Sequence, residues 1–228
     1  MLLNVVDEMA IASGISTPTV YILYESGINA FAAGLTLDDA VIGITRGCIE
    51  KLDRDELQGV IAHEFSHIFN GDMRLNIRLM GALFGILMLS LIGRRVLHGS
   101  YYMGRSKNSN GGAIMLVAVA VMLVGYIGLF FGRWIKSAVS RQREYLADAS
   151  AVQFTRDPDG IAGALKKIAV YSDSSYLNVE SEEVSHMLFG DGERTKMFST
   201  HPPLNDRISR VDPSFTSEDL LSLAKQLE

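Results

Sequence analysis

The sequence predicts a mainly helical α+β fold, with a small sheet over one central helix and a hydrophobic helical hairpin interrupting the chain. Three observations carry this expectation. His63-Glu64-Phe65-Ser66-His67, an H-E-x-x-H pattern, lies inside an apolar, helix-compatible run. Short β-branched and aromatic segments precede it. Two stretches without a single charge, Leu79–Gly93 and Ala113–Gly132, follow it.

Composition narrows the chemistry before any motif is read. With 228 residues the chain can hold one sizeable core, or a domain plus membrane segments. A net charge of −5 without a long basic tract argues against nucleic acid as a partner. Cys48 is the one cysteine, so neither an intrachain disulfide nor a thiolate zinc cluster can form. Any metal site must use carboxylates and the five histidines: His63, His67, His98, His186 and His201. There is no convincing internal repeat.

Leu2–Ser13 places Leu2, Val5, Val6, Met9 and Ala10 at helical spacing and stops at Gly14. It has no basic n-region or cleavage-like sequence, so it does not read as a signal peptide. Pro18 opens a strand through Tyr24, and Ser26-Gly27 turns the chain. Asn29–Gly34 reads as a second strand and Ala40–Thr45 as a third, joined through Leu37-Asp38-Asp39. The small side chains of the second strand leave its backbone approachable. Asn29, Ala30, Phe31 and Ala32 are therefore candidates for pairing with an extended peptide, unless the segment is an ordinary edge strand.

Thr45–Leu52 forms a short helix leading into the motif helix. Asp53 with Glu56 is close to a capping box, and Asn70-Gly71 is a stop signal. Between them, His63 and His67 leave one face a turn apart, within reach of a single Zn²⁺ at about 2.0–2.1 Å. Glu64 lies roughly 100° round the helix, near enough to reach a water on that ion without being a ligand.

Ala113–Gly132 is twenty residues, eleven of them Leu, Ile, Val or Phe. At roughly −0.3 to −0.6 kcal/mol each, these favour insertion by several kcal/mol. At 1.5 Å per residue the segment spans about 30 Å, the thickness of a hydrocarbon core. Leu79–Gly93 spans only about 22 Å, so crossing requires residues 77–97, with Arg78, Arg94 and Arg95 snorkelling; the other reading is an interfacial or re-entrant helix. Gly99–Gly112 is polar and reads as the hairpin loop. These features divide the chain into 1–76, 77–132 and 133–228.

Beyond Trp134 the pattern stays helical to about Thr155, breaks at Asp157–Gly160, and resumes over Ile161–Tyr171. Ser172–Glu183 is polar and reads as a loop. His201-Pro202-Pro203-Leu204 begins a short helix carrying Asp206, Arg207 and Arg210, and Ser217–Leu227 closes the chain as an amphipathic helix.

A catalytic zinc takes three protein ligands and keeps one position for water. Glu144 is the choice for the third, with Asp148 one turn on to accept the outer N–H of a ligating histidine. Glu50, Asp72 and His201 are weaker candidates. The apolar stretches separate His67 from Glu144, so two membrane crossings return the chain to its starting side and one would strand the ligands apart. His98 and His186 read as bystanders.

His63-Glu64-Phe65-Ser66-His67, Glu144-Tyr145-Leu146-Ala147-Asp148, Asn29-Ala30-Phe31-Ala32-Ala33-Gly34 and His201-Pro202-Pro203-Leu204-Asn205-Asp206-Arg207-Ile208 occur in an order and spacing that resembles the HtpX-like membrane zinc metalloproteases, relatives of the CAAX prenyl proteases. The resemblance covers nearly the whole chain. It implies a gluzincin-type, zincin-like protease domain facing the cytoplasm, in a multi-pass protein of the cell (inner) membrane. It also implies a stress-response role in degrading misfolded membrane proteins. Such proteins usually carry a further hydrophobic hairpin before the catalytic domain. This chain begins at Met1-Leu2-Leu3-Asn4, just past it, and reads as a fragment or a shortened member.

The expected chemistry is peptide-bond hydrolysis with one Zn²⁺ per chain held by His63, His67 and Glu144. Glu64 is the proton shuttle, His201 a candidate to stabilise the oxyanion, and Arg207 a second donor. Extended protein or peptide substrates and the lipid bilayer are the expected partners; the oligomeric state is open. Two alternatives use the same residues: a prenyl-protein (CAAX-type) processing protease, and a catalytically silent membrane scaffold with a closed four-ligand site. Lys and Arg are modestly in excess on the catalytic side of the hairpin, which favours a cytoplasmic active site.

Overall fold

A computed structural model describes residues 1–103, 111–171 and 201–227. In chain order the elements are α1 (Leu2–Ser13), β1 (Thr19–Leu23), β2 (Ala30–Ala33), β3 (Val41–Thr45), α2 (Arg46–Lys51), α3 (Arg54–Phe69), α4 (Asp72–Met103), α5 (Gly111–Thr155), α6 (Pro158–Val170), α7 (Leu204–Val211) and α8 (Ser217–Leu227). They form two compact units: residues 1–75 with 139–228, and residues 76–138.

In the first unit, α1 buries Val5, Val6, Met9 and Ala10 and ends where Gly14 turns left-handed at φ 72°. The sheet runs β1-β3-β2, with β1 parallel and β2 antiparallel to β3. Thr19 lies opposite Val41, and Ala30 opposite Ile44. β3 is central, and its Ile42 and Ile44 are fully buried. Among the described residues, β2 lies at an edge of the sheet. Thr45 closes β3 and starts α2, its hydroxyl donating to the Gly27 carbonyl at 2.7 Å and accepting from the Asn29 N–H at 2.9 Å.

The motif helix α3 is the hub. Asp53 and Glu56 form a complete reciprocal capping box, stronger than the partial signal read from the sequence. Lys167 of α6 then pairs with Glu56 at 2.6 Å, tying the start of α3 to α6. Leu57, Val60, Ile61, Phe65 and Ile68 are buried in one core with Val5 and Val6 of α1, Ile42 and Ile44 of β3, Leu165 and Ile168 of α6 and Ile208 of α7. Each such side chain contributes about 1.5–3 kcal/mol on burial. Gly59 lets α6 approach closely: a Cβ there would lie 2.6 Å from the Ile161 nitrogen.

In the second unit, α4 and α5 pack through small residues. A Cβ on Gly93 would lie 2.9 Å from the Met122 nitrogen, and Gly125 sits against the buried Ser90. Both helices are long and apolar enough to cross a membrane, and their most apolar windows are only 6% and 11% buried. A core helix of this composition would bury most of that surface. The apolar side chains face outwards instead, as a helix in lipid requires.

Three boundaries differ from the sequence reading. Residues 99–103 and 111–112, expected in the polar loop, are helical; 104–110 lie outside the described residues. α6 starts at Pro158 because proline suits the first helical position, with Asp157 capping the Asp159 N–H. The second compact unit runs to residue 138, where the sequence reading divides the chain at 132. The polar segment Ser172–Glu183 also lies outside the described residues.

Candidate metal centre

On α3, the four-residue spacing brings the His63 and His67 Nε2 atoms to 3.1 Å from each other. Glu144, from α5, places Oε2 3.7 Å from His63 Nε2 and Oε1 3.4 Å from His67 Nε2. Two donors on one tetrahedral zinc at 2.0–2.1 Å lie about 3.3 Å apart, so the three side chains have the mutual spacing of a ligand set. All the donor atoms fall within 4.8 Å of one another. Donor atoms this close together could hold a cation among them.

Each imidazole is held from behind. His63 Nδ1 is 2.9 Å from Asp148 Oδ1, and His67 Nδ1 is 2.8 Å from Asp72 Oδ2. A carboxylate only accepts, so a hydrogen on Nδ1 suits both contacts, and the Nε2 atoms are the ring nitrogens nearest Glu144. Each carboxylate meets an arginine in turn. Arg207 donates to both oxygens of Asp148, at 2.7 and 2.8 Å, and reaches Glu144 Oε2 at 3.1 Å. Arg143 reaches Asp72 Oδ1 at 2.9 Å.

The electrostatics follow from burial and neighbours. Burial opposes a charge on His67, but hydrogen bonds to Asp72 and Glu144 outweigh it and push its pKa up to about 10. The site thus demands positive charge, which a proton or a divalent cation can supply. Burial raises the Glu64 carboxyl above its ordinary range, with His67 and His63 pulling it partly back. That suits a group that must take up and release a proton. Burial works against the Arg207 charge, and Asp148 and Glu144 more than restore it.

The other sequence candidates fall as follows. His201 Nδ1 is 3.0 Å from Glu144 Oε2, so the loop before α7 reaches the cluster. Arg207 is 0% exposed and its guanidinium is taken up by the two carboxylates. Two nearby carboxylates hold the guanidinium beside the converging donor atoms. Asn29 and Ala30 are buried while Phe31 and Ala32 are half-buried on β2, whose outer side pairs with no strand among the described residues.

Asp72, a lesser ligand candidate from the sequence, contacts the His67 Nδ1 and not the converging donor atoms. Glu50 pairs with Arg46 at 2.6 Å on the surface. His98 is exposed on α4 in the second unit, and His186 lies outside the described residues. Sequence reasoning missed Arg143, whose only signal is its place next to Glu144.

The model of peptidase family M48 matches residues 1–214. A protein named protease HtpX homolog from Thermoanaerobacter pseudethanolicus is 40% identical over 216 residues, covering 91% of this chain and 70% of the relative. One of the same name from Dictyoglomus thermophilum is 37% identical over 211 residues, covering 92% and 68%. A crystal structure of S. mikatae Ste24p is similar in fold, with a TM-score of 0.60 at 19% identity, covering 93% of this chain and 50% of that one. The chain therefore spans about two thirds of the curated relatives and half of the solved structure.

Proposed function

Because this chain belongs to peptidase family M48, we propose that it is a membrane-bound metalloendopeptidase whose ion is Zn²⁺, held by His63, His67 and Glu144. The observation that carries the reading is the convergence of two histidine nitrogens and one carboxylate at 3.1–3.7 Å, from helices far apart in sequence. Nitrogen and oxygen donors in this number suit zinc and leave room for a fourth ligand. When bound, zinc supplies the Lewis acidity that polarises a scissile carbonyl and acidifies a water.

Glu64, next to His63 on α3, takes the proton from the attacking water and passes it to the leaving amine. Its raised pKa suits it to both halves of that transfer. Asp148 holds the His63 tautomer, and Arg207 keeps Asp148 and Glu144 charged and in place. His201, beside Glu144, is assigned to the developing oxyanion. The outer edge of β2, which pairs with no strand among the described residues, takes an extended stretch of substrate, giving main-chain affinity with little sequence preference.

Substrates of this breadth fit a role in clearing misfolded membrane proteins. The hairpin anchors the chain in the cell (inner) membrane as a two-span unit, with the peptidase side cytoplasmic. The test is zinc content measured beside casein cleavage in detergent, with a farnesylated C-terminal peptide as a second substrate. Zinc near one per chain with chelator-reversible casein cleavage supports the proposal. Cleavage of the farnesylated peptide alone points to prenyl-protein processing, and zinc without cleavage of either points to a scaffold.

A further inference from the structure

Asp72 opens α4 five residues after His67 and is 5% exposed. Its Oδ2 accepts from His67 Nδ1 at 2.8 Å, and its Oδ1 faces Arg143 Nη1 at 2.9 Å. We propose that Asp72, clamped by Arg143, is a positioning residue of the metal centre, holding His67 in the Nδ1–H tautomer with Nε2 turned to the ion. This rests on the zinc-peptidase reading above.

Of the three candidate ligands, His67 is the most open: its side chain is 18% exposed, against 1% for His63 and 8% for Glu144. It stands on the last turn of α3, which ends at Phe69, so fewer neighbours confine its ring. A single strong acceptor on Nδ1 supplies the orientation that packing does not, and makes Nε2 a better donor. Arg143 completes the device. It immediately precedes Glu144 on α5, so the helix bringing the third ligand also fixes the carboxylate behind the second. Its charge also balances an otherwise buried anion. Nδ1 and Nε2 leave the ring in diverging directions, so a carboxylate engaged with Nδ1 is not placed to share an ion with Nε2.

The experiment measures zinc affinity by chelator competition on the full chain in detergent, for the parent, Asp72→Ala, Asp72→Asn and Arg143→Gln. Asp72→Ala should weaken zinc binding by about 10–100-fold. Asp72→Asn, whose amide oxygen still accepts from Nδ1–H, should recover most of that loss, and Arg143→Gln should lose a smaller factor. Casein cleavage should suffer more at limiting than at saturating zinc. Asp72→Ala within twofold of the parent, or Asp72→Asn no better than Asp72→Ala, overturns the inference. Should Asp72→Ala not fold, unaltered zinc affinity in Arg143→Gln also overturns it, at a side chain 36% exposed that folding tolerates. A parent that binds no zinc rejects the zinc-peptidase reading itself.

Discussion

Glu64 is separable from the three candidate ligands because it shares α3 with His63 and His67 but is not one of the converging donors. Glu64→Gln should keep zinc while losing roughly 10²–10⁴-fold in casein cleavage, the usual contribution of a positioned proton shuttle. Metal analysis beside the cleavage rate checks it, and equal cleavage by the variant removes Glu64 from the mechanism. Arg207 carries a different weight. It is fully buried between Asp148 and Glu144, so Arg207→Met leaves two buried carboxylates uncompensated and should cost about 3–5 kcal/mol. Thermal unfolding in detergent measures that loss; a melting temperature within a degree of the parent contradicts it. A peripheral pair makes the pH dependence readable. Hydrogen bonds from Lys166 and Ser214 hold the Asp212 carboxyl down at about 2. A depressed folded-state pKa gives stability that is present above the unfolded value of about 3.9 and lost as pH falls towards 2. Asp212→Asn should therefore cost about 1 kcal/mol near neutrality, and the gap should close between pH 4 and 2. A gap that is constant with pH assigns the effect to something other than this charge.

At the scale of elements, α3 works because its two ends and one face are each secured by different means. The capping box satisfies the first N–H groups, Lys167 binds the capping glutamate, and Gly59 admits the α6 backbone. Replacing Gly59 with valine drives a side chain into the α6 backbone beside Ile161 and should cost at least 1–3 kcal/mol, because backbone cannot yield as a flexible side chain can. Urea unfolding should show a lower midpoint, whereas an unchanged one means the two helices can separate freely. α1, α2 and α8 were legible because their capping and periodicity are local. The extensions of α4 and α5 past the expected loop boundaries were not: Gly99, Ser100, Gly111 and Gly112 favour turns locally, and such a weak local preference does not fix where a helix ends.

For the whole molecule, two outward-facing apolar helices divide a peptidase unit whose halves meet in space. The protein should stay with membranes through alkaline carbonate washing and be released by detergent; release by carbonate alone rejects the spanning assignment. A reporter fused after Glu228 should report the cytoplasmic side, consistent with the basic excess around Arg74, Arg78, Arg133, Lys136, Arg141 and Arg143.

Sequence alone determined whatever depends on neighbours a few residues apart. The shared face of His63 and His67 follows from helical spacing, the absence of a thiolate site from one cysteine, and the two apolar helices from runs without charge. Tertiary structure decided which distant charges meet. Asp72 and Arg143 come to stand behind His67, and Arg207 pairs with Asp148. Ion pairing between distant segments has no period along the chain. Its outcome depends on which helices pack together and on how strongly burial penalises a charge left without a partner.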